Sequence, residues 1–240
     1  MNVADLERAC IKAWPARHAH EIHGWRLFAT DGKSWRVNST WPLAWSGAAL
    51  NTTIDAVEAW AIAHNIAPAF KLAEGAIAPA DLPDALSARG YAPQIETLVM
   101  TRALDALPAA GRAIAISDAP SEAFWSPMRA AAPSPEDFAE RRDIVLRTRE
   151  GAAFAVADSA AIGLGRLTGD LIGLYIMRTA PNARRQGYAR DIVRALCAWG
   201  KARGAATAYL QVEASNEAAA ALYANEGFAR AYAYHYWIKS

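Results

Sequence analysis

Two adjacent arginines, a glutamine and a glycine stand together in the segment PNARRQGYA, residues 181–189. The hydrophobic run LIGLYIM before it predicts a strand, and the run IVRALCAW after it predicts an amphipathic helix. The segment is therefore predicted to be a loop that leads from a strand into the N-terminus of a helix. Backbone N–H groups converge at such a place, in front of the positive end of the helix dipole, and they bind anions.

The side chains of this loop strengthen the prediction of an anion site. Arg184 and Arg185 can donate charge-assisted hydrogen bonds to phosphate oxygens, and Gly187 lets a ligand approach the backbone closely. Residues 178–194 contain five arginines and a single acid, although a solvated basic helix face would account for Arg190. These residues indicate a phosphate-containing ligand and leave nucleotide, coenzyme and phosphorylated substrate open.

The composition excludes several other classes of protein. The chain has 240 residues, of which 53% are hydrophobic and 20% charged, an ordinary balance for one large or two smaller globular domains. A net charge of +1 argues against a general nucleic-acid binder. No apolar run reaches the length of a membrane span, and Cys10 and Cys197 have no metal-type spacing. We therefore expect a reduced, cytoplasmic protein without membrane contact.

The predicted elements that position the loop fall into two series. The first contains a hairpin around Asp31-Gly32 (24–40), a helix (54–64), a strand (68–74), a helix (79–90) and a strand (94–101). After a predicted linker, residues 103–112, the second series runs strand, two helices, three strands, helix, strand, helix and strand. An offset that pairs Trp60 with Trp199 also pairs Phe70 with Tyr209.

This internal match indicates duplication of one α/β unit, with chance similarity between Ala-rich helices as the alternative. In the alignment, the segment PLAWSGAAL of the first series takes the place of the basic loop. It has neither the arginines nor the glycine at the aligned positions. If the loop binds an anion, only the second unit can do so.

The pattern Pro-x-x-Arg-x-x-Gly-x-Ala closely resembles the acetyl-CoA signature of the GNAT superfamily of N-acetyltransferases. A second signature of that family is similar to QVEASNEAAAALYANEGF, where an Asn opens a helix and Leu-Tyr and Gly-Phe follow. The order of elements from about residue 113 to 240 also resembles the family. The resemblance implies an α/β (α+β) fold of two GNAT-like mixed-sheet units, as in tandem-GNAT proteins. Residues 1–105 would be a degenerate half without a coenzyme loop, and residues 112–240 a complete acetyltransferase domain.

The resemblance also implies which residues bind acetyl-CoA, the expected cosubstrate. The backbone of Met177, Arg178 and Thr179 would pair with the pantetheine arm and the acetyl group. Asn216 would contact the coenzyme near its thiol end, although it could serve only as a helix N-cap. The residues expected at the pyrophosphate are Arg184, Arg185, Gln186, Gly187, Tyr188, Ala189 and Arg190. Ala189 stands where the family more commonly has Gly.

The resemblance places Tyr223 near the coenzyme sulfur. An ordinary tyrosine keeps its proton at pH 7 and can donate it to a departing thiolate, whereas a packing tyrosine is the alternative. The glutamate that acts as base in ribosomal-protein N-acetyltransferases of the family aligns with Gln211, which cannot take a proton. Glu213, on the same strand face, is the candidate base. A water chain or an amine that arrives neutral are alternatives, and Glu213 could equally be a solvated rim residue.

No metal is expected. The segment HAHEIH, residues 18–23, is one residue short of the zinc-protease pattern and has no further ligand set. The glycines of residues 163–169 have the wrong spacing for a dinucleotide fingerprint.

The sequence therefore predicts an acetyl-CoA-dependent N-acetyltransferase. It would transfer the acetyl group to a primary amine of a small molecule or peptide, by direct attack in a ternary complex. A non-catalytic sensor or interaction protein that binds CoA on the duplicated scaffold is the alternative. The acceptor site is expected where the two units meet, lined by aromatic residues such as Trp25, Trp35 or the tyrosines near the C-terminus.

Overall fold

The computed structural model describes residues 2–147 and 150–239. Within these ranges the chain forms seven α-helices and eleven strands. The helices are α1 (Val3–Ala13), α2 (Leu50–Ala63), α3 (Leu82–Ala88), α4 (Glu122–Ala130), α5 (Pro135–Arg147), α6 (Tyr188–Lys201) and α7 (Glu217–Asn225). The strands are β1 (His18–Ile22), β2 (Trp25–Ala29), β3 (Thr40–Trp41), β4 (Ala69–Ala73), β5 (Tyr91–Ala103), β6 (Ala115–Ser117), β7 (Ala152–Ala157), β8 (Ala161–Thr168), β9 (Leu171–Thr179), β10 (Thr207–Glu213) and β11 (Ala229–Lys239).

All of these strands belong to one sheet, in the order β1-β2-β3-β4-β11-β5-β10-β9-β8-β7-β6. Two pairs are parallel, β3 with β4 and β9 with β10, and the other pairs are antiparallel. From the central β11–β5 pair outward, both sides show the same succession: antiparallel, parallel, antiparallel, antiparallel. The predicted α/β class with a mixed sheet is confirmed.

The long strands at the centre of the sheet cross between the two predicted units. β5, at the end of residues 1–105, lies between β10 and β11 of the second unit. β11 in turn pairs with β4 of the first unit, with Tyr234 opposite Ala73. Neither unit therefore contains a complete sheet of its own. The division at residues 105–112 stays a prediction about the chain, while the sheet is continuous across it.

The antiparallel pair predicted around Asp31-Gly32 is present, and a second hairpin that was not predicted precedes it. β2 pairs with β3 across residues 30–39, with Leu27 opposite Thr40. β1 and β2 are joined at His23 and Gly24, whose φ angles are 51° and 91°. Two consecutive positive φ angles are what a tight two-residue hairpin turn requires. Asp31-Gly32 does not form such a tight turn, because it lies in the longer loop, residues 30–39, that joins β2 to β3.

The loop of residues 30–38 is held by a contact from the second half of the chain. Glu140, on α5, is buried. Its carboxylate accepts a hydrogen bond from the Thr30 hydroxyl at 2.6 Å and from the backbone N–H groups of Lys33 and Ser34, each at 3.2 Å. A carboxylate so far away in sequence gives no local signal in residues 30–38. The length of this loop could therefore not be predicted from the segment itself.

The helix that follows the basic loop is fixed tightly to the sheet. Its residues Ile192, Val193 and Leu196 are fully buried. A Cβ at Gly163 of β8 would lie 2.5 Å from Ile192, so this glycine permits the close approach of helix and strand. The N-terminus of α6, and with it the basic loop, is thereby held at one end of β9.

Candidate active site

The parallel strands β9 and β10 are paired only over part of their length. Their register runs from Thr207 opposite Leu171 to Leu210 opposite Leu174. β9 continues to Thr179 and β10 to Glu213, so the strands separate beyond the last pair. The opening leaves backbone N–H and C=O groups with no neighbouring strand, and an extended ligand can bind such groups as an added strand would.

β9 has a bulge at this opening. Ile162 is opposite Arg178 and Leu164 is opposite Tyr175, so β9 carries one extra residue there. Ile176 has a φ of 48°, which is rare for a β-branched residue. The bulge breaks the regular alternation of the strand. As a result, five consecutive residues, 174 to 178, line one cavity.

This cavity has a volume of about 500 Å³. Its lining includes most of the residues predicted to contact the acyl end of the coenzyme or to transfer protons. From the second half it is lined by Met177, Arg178, Gln211, Glu213, Asn216 and Tyr223. The first half and β11 contribute Trp14, Lys33, Ser34, Trp35, Arg36, Ile95, Thr97, Tyr234 and Tyr236. Thr179 and the loop residues 184–190 stand outside the lining and continue the chain from the end of β9. Both halves of the chain therefore build one site.

Tyr223 lies on α7 and is only 7% exposed. Its ring packs edge-on against Phe228, with the ring centroids 6.1 Å apart. Burial raises the pKa of Tyr223 to about 12, although the nearby Arg178 acts in the opposite direction. The phenol therefore keeps its proton at neutral pH and can act as a hydrogen-bond or proton donor at the cavity wall.

Asn216 is the N-cap of α7, as one of the two interpretations of this residue requires. Its Oδ1 accepts a hydrogen bond from the Ala219 backbone N–H at 3.2 Å. The same residue also lines the cavity. A role toward a ligand stays a prediction.

Two carboxylates line the cavity, and they differ in their partners. Asp137 accepts two hydrogen bonds from Arg141, at 2.8 and 3.0 Å. Glu213 is exposed at the end of β10, and within the described parts of the chain no cation forms an ion pair with it. Of the two, Glu213 has the carboxylate that is free to accept a proton.

Both polar ends of Gln211 are occupied. Its Oε1 accepts a hydrogen bond from the Tyr234 hydroxyl at 2.9 Å, and its Nε2 donates to Cys10 Sγ at 3.1 Å. Burial, followed by the charge of Glu7, raises the pKa of the Cys10 thiol to about 12. Gln211 thus joins α1, β10 and β11 at the wall of the cavity.

The loop between β9 and α6 has left-handed residues at two positions. Arg185 has a φ of 59° and Gly187 a φ of 85°. Gly187 is also the N-cap of α6 and offers no side chain to the first N–H groups of the helix. Because Arg184 and Arg185 are exposed beside these N–H groups, the loop has the donors and the charge that bind an anion.

A buried ion pair that the sequence analysis missed anchors this loop. Asp191 is fully buried and accepts hydrogen bonds from Arg112 Nη1 at 2.6 Å and from the Gly111 N–H at 2.9 Å. Burial alone would raise the pKa of Asp191, but these hydrogen bonds outweigh burial and hold the pKa below its usual value. Arg112 Nη2 donates to the Gln186 carbonyl oxygen at 2.7 Å, and the guanidinium lies 4.1 Å from the centroid of the Tyr188 ring.

The segment of the first half that aligns with the loop carries one aromatic residue, Trp45, which packs into the first half. Trp45 packs against Trp25, with the ring centroids 5.1 Å apart. Trp25 is fully buried and donates its indole N–H to the Ala78 carbonyl oxygen at 2.7 Å. The expectation that Trp25 lies near an acceptor site was therefore wrong, because this residue belongs to the core of the first half. Trp35 does line the cavity.

The histidines of β1 contact aromatic rings. His20 packs parallel to Trp60 at 6.4 Å between centroids, and His18 lies 5.4 Å from His64. Across residues 2–147 and 150–239, no group of three or more His, Cys, Asp or Glu side chains is arranged to hold a metal ion. None of the helices in the same ranges is long and apolar enough to cross a bilayer.

The fold is that of the GNAT acetyltransferases. A GCN5-related N-acetyltransferase from Kribbella flavida aligns with a TM-score of 0.71 and 14% identity, over 100% of this chain and 96% of that chain. One from Sphaerobacter thermophilus gives 0.64 and 19%, over 84% and 72%. A tandem GNAT protein from the clavulanic acid biosynthesis pathway gives 0.65 and 12%, over 97% and 86%. At these identities the likeness concerns the fold.

The family is shown by the sequence itself. Residues 1–237 match the family described as "Probable histone acetyltransferase Rv0428c C-terminal", and the chain belongs to it. The protein is thus an acetyltransferase of the GNAT type, and the resemblance seen in the sequence is confirmed. A search of curated proteins gave no match.

Proposed function

We propose that this acetyltransferase transfers an acetyl group from acetyl-CoA to a primary amine of a small molecule or short peptide. The observation that carries the proposal is the cavity at the opening between β9 and β10, which Tyr223 and Glu213 both line. Acetyl-CoA would supply the acetyl group as a thioester that an amine can attack directly. No metal enters the proposed reaction.

The chain's own groups fit this cosubstrate. The backbone at the bulge of β9, at Met177 and Arg178, can hydrogen-bond the pantetheine arm and the thioester oxygen, and Thr179 extends that edge. In the structure the Met177 carbonyl oxygen accepts a hydrogen bond from Arg178 Nη1 at 2.9 Å, which the coenzyme would replace. The left-handed loop and the N-terminus of α6, residues 184–190, can hold the pyrophosphate. Asn216 lies on the cavity side of α7 and can contact the thiol end of the coenzyme.

Tyr223 and Glu213 transfer the protons in the proposed reaction. As the amine nitrogen bonds to the acetyl carbon and the carbon–sulfur bond breaks, Tyr223 donates its phenolic proton to the sulfur. Glu213, or a water molecule bound to it, accepts the proton that the amine nitrogen loses. A proton from solvent then restores Tyr223. Holding the amine and the thioester together contributes the orientation on which direct attack depends.

The site favours a small acceptor. A cavity of about 500 Å³ has to contain the acyl end of the coenzyme as well as the acceptor. The name of the matched family mentions histone acetylation, and a lysine side chain is a primary amine. Four cationic residues, Lys33, Arg36, Arg141 and Arg178, line the cavity against two carboxylates. This balance disfavours a lysine-rich segment, since like charges brought together oppose binding.

We also propose that the chain is a duplication in which only the second unit binds the coenzyme. The matching succession of strand pairs on the two sides of the sheet supports the duplication. The packed Trp45 in the aligned loop supports a single coenzyme site. A cytoplasmic location agrees with Cys10 and Cys197, which are both buried and not joined by a disulfide.

The test measures thiol release from acetyl-CoA in the presence of amines, amino acids and short peptides, beside calorimetric titration of acetyl-CoA. Amine-dependent release at one coenzyme site per chain is the expected result. Binding of acetyl-CoA without release by any acceptor would favour the non-catalytic sensor. Failure to bind acetyl-CoA would refute the proposal.

A further inference from the structure

Arg36 brings a positive charge into the cavity from the first half of the chain. It lines the cavity beside Trp35 and close to Tyr234, which belongs to β11. Its charge also reaches the reacting end of the site. Burial and then Arg141 lower the pKa of Arg178, and Arg36 contributes to the same shift. Arg36 is therefore within electrostatic range of the bulge in β9.

The guanidinium of Arg36 has no counter-charge in the part of the chain that the structure describes. Its Nε is buried and has no hydrogen-bond partner there, and no Asp or Glu of those residues forms an ion pair with it. The groups around it are phenols, and burial raises the pKa of Tyr175 and Tyr236 well above the ordinary value, so these two carry no charge at neutral pH. A cation whose guanidinium is partly buried and has no anion beside it is costly.

Lys71, another interior cation of this region, has a carboxylate partner within the protein. Lys71 is 1% exposed, and its Nζ lies 2.5 Å from the carboxylate of Glu7. The same Nζ lies 3.6 Å from the centroid of the Trp41 ring and 3.9 Å from that of Tyr234. Lys71 therefore has an internal anion and two ring faces. Arg36 has no such carboxylate among the described residues, which suggests that its anion comes from outside.

The loop that carries Arg36 is also held in place before any ligand arrives. The carboxylate of Glu140 fixes the loop through Thr30, Lys33 and Ser34. A Cβ at Gly32 would lie 2.0 Å from the carboxyl carbon of Glu140, so the carboxylate lies directly against the backbone of the loop. A preorganised cation binds its anion more tightly, because little ordering remains to be done on binding.

We propose that Arg36 binds a carboxylate of the acceptor, so that the acceptor amine belongs to an amino acid. This rests on the proposed function and specifies its substrate class. The guanidinium fork suits a carboxylate, to which it can donate two parallel hydrogen bonds. The carboxylate would lie at the first-half side of the cavity, and the amine would point toward the opening between β9 and β10.

The test compares Arg36→Gln and Arg36→Lys with the wild type. The control is Arg203→Gln, which removes one exposed positive charge just beyond the end of α6. One measurement is kcat/KM for phenylalanine against phenethylamine and for lysine against 1,5-diaminopentane, two pairs that differ by the carboxylate. The other is calorimetric binding, in the presence of CoA, of the N-acetyl derivatives of the twenty common amino acids and of those two amines.

We expect the wild type to prefer the carboxylated member of each pair. Arg36→Gln should reduce that preference, and the affinity for the N-acetyl amino acids, by about 10- to 100-fold, the range for a lost charge-assisted hydrogen bond. Arg36→Lys should fall between, since it keeps the charge and loses the fork. The control should keep the wild-type preference.

The outcomes separate this inference from the function on which it rests. If amines are acetylated and Arg36→Gln leaves the preference and the product affinity unchanged, the inference is wrong and the acetyltransferase proposal stands. If no amine is acetylated but the N-acetyl amino acids bind through Arg36, the carboxylate site stands and the catalytic proposal fails. If none of them binds, or if Arg36→Gln weakens acetyl-CoA binding instead, Arg36 is not an acceptor anchor.

Discussion

Replacing Asp191 by Asn tests whether its pair with Arg112 holds the loop of residues 184–190, which we propose binds the coenzyme. Asn has almost the same shape, but it has no charge and one of its two polar atoms is a donor. Two donors, the Gly111 N–H and Arg112 Nη1, now point at the two carboxylate oxygens. In the variant, one of them would face an NH2 group and lose its partner.

The expected loss of stability follows from these contacts. A hydrogen bond to a charged group contributes about 1.5–3 kcal/mol, and the partial exposure of the Arg112 side chain (30%) lets water replace part of it. We therefore expect a loss of about 2 kcal/mol. For a chain of this size that lowers Tm by about 4–8 °C. The Kd for acetyl-CoA should rise in parallel, because Arg112 also fixes the carbonyl group of Gln186.

The pH dependence gives a sharper test, since the folded pKa of Asp191 is held below its usual value. The contribution is fully present above the unfolded pKa of about 3.9 and is lost as the pH falls through the folded pKa. Urea unfolding from pH 7 down to pH 3 should therefore show the wild type converging on Asp191→Asn at the acidic end.

Glu21→Gln, which breaks the exposed pair with Arg26, is the matched control and should follow the wild type. Equal stability of Asp191→Asn and wild type at pH 7, or a difference that persists undiminished below pH 4, would refute the reasoning.

Four further results are expected. Changing Arg184 and Arg185 together to Ala should raise the Kd for acetyl-CoA by about tenfold or more, since up to two charge-assisted bonds are lost. Tyr223→Phe should keep that Kd and lower kcat by about 10²- to 10⁴-fold, the usual effect of removing a general acid. Glu213→Gln should remove the acidic limb of the pH–rate profile. A chain that begins at residue 110 lacks β5, so β10 and β11 lose the strand between them, and it should aggregate or bind hydrophobic dye.

Each of these has a result that contradicts it. Two coenzyme sites per chain, or an unchanged Kd in the double variant, would remove the loop from the coenzyme site. Full kcat in Tyr223→Phe, with chemistry rate-limiting, would exclude the phenol as the acid. An unchanged profile for Glu213→Gln would leave a water chain or a neutral amine. A monomeric, cooperatively folded and active fragment would show that the first half is dispensable.

The elements of the second half could be predicted because each has a strong local signal. The apolar face of α6 recurs at helical spacing, the runs of β7 to β9 are short and nearly all apolar, and Gly187 marks the start of a helix. Several residues of the cavity lining could be predicted from the family resemblance. Asn216 and Tyr223 belong to the second family signature, Met177 lies near the end of the strand before the first, and the fold brings these residues together.

The crossing of β5 and β11 could not be predicted, because the alternation of side chains along a strand does not identify the neighbouring strand. The same sequence pattern would suit β5 beside β4 in its own unit. The structural roles of Glu140 and Arg112 could not be predicted for a related reason. Each acts on a segment far away in sequence, and the segments themselves look like a turn and a linker. Arg36 gave no signal either, since an isolated arginine in a loop is ordinary.

The crossing of the strands also bears on the choice of base. Tyr234 reaches Gln211 because β11 lies beside β4 and β5, and Cys10 reaches it from α1 of the first half. Gln211 therefore helps to join the two halves of the chain. Its uncharged amide accepts a hydrogen bond from the Tyr234 hydroxyl and donates one to the Cys10 sulfur. A carboxylate there would lack the N–H that donates to Cys10 and would place a charge at this part of the cavity wall. In the proposed reaction, the proton of the amine is then left to the exposed end of β10, where Glu213 is the carboxylate that we propose as its acceptor.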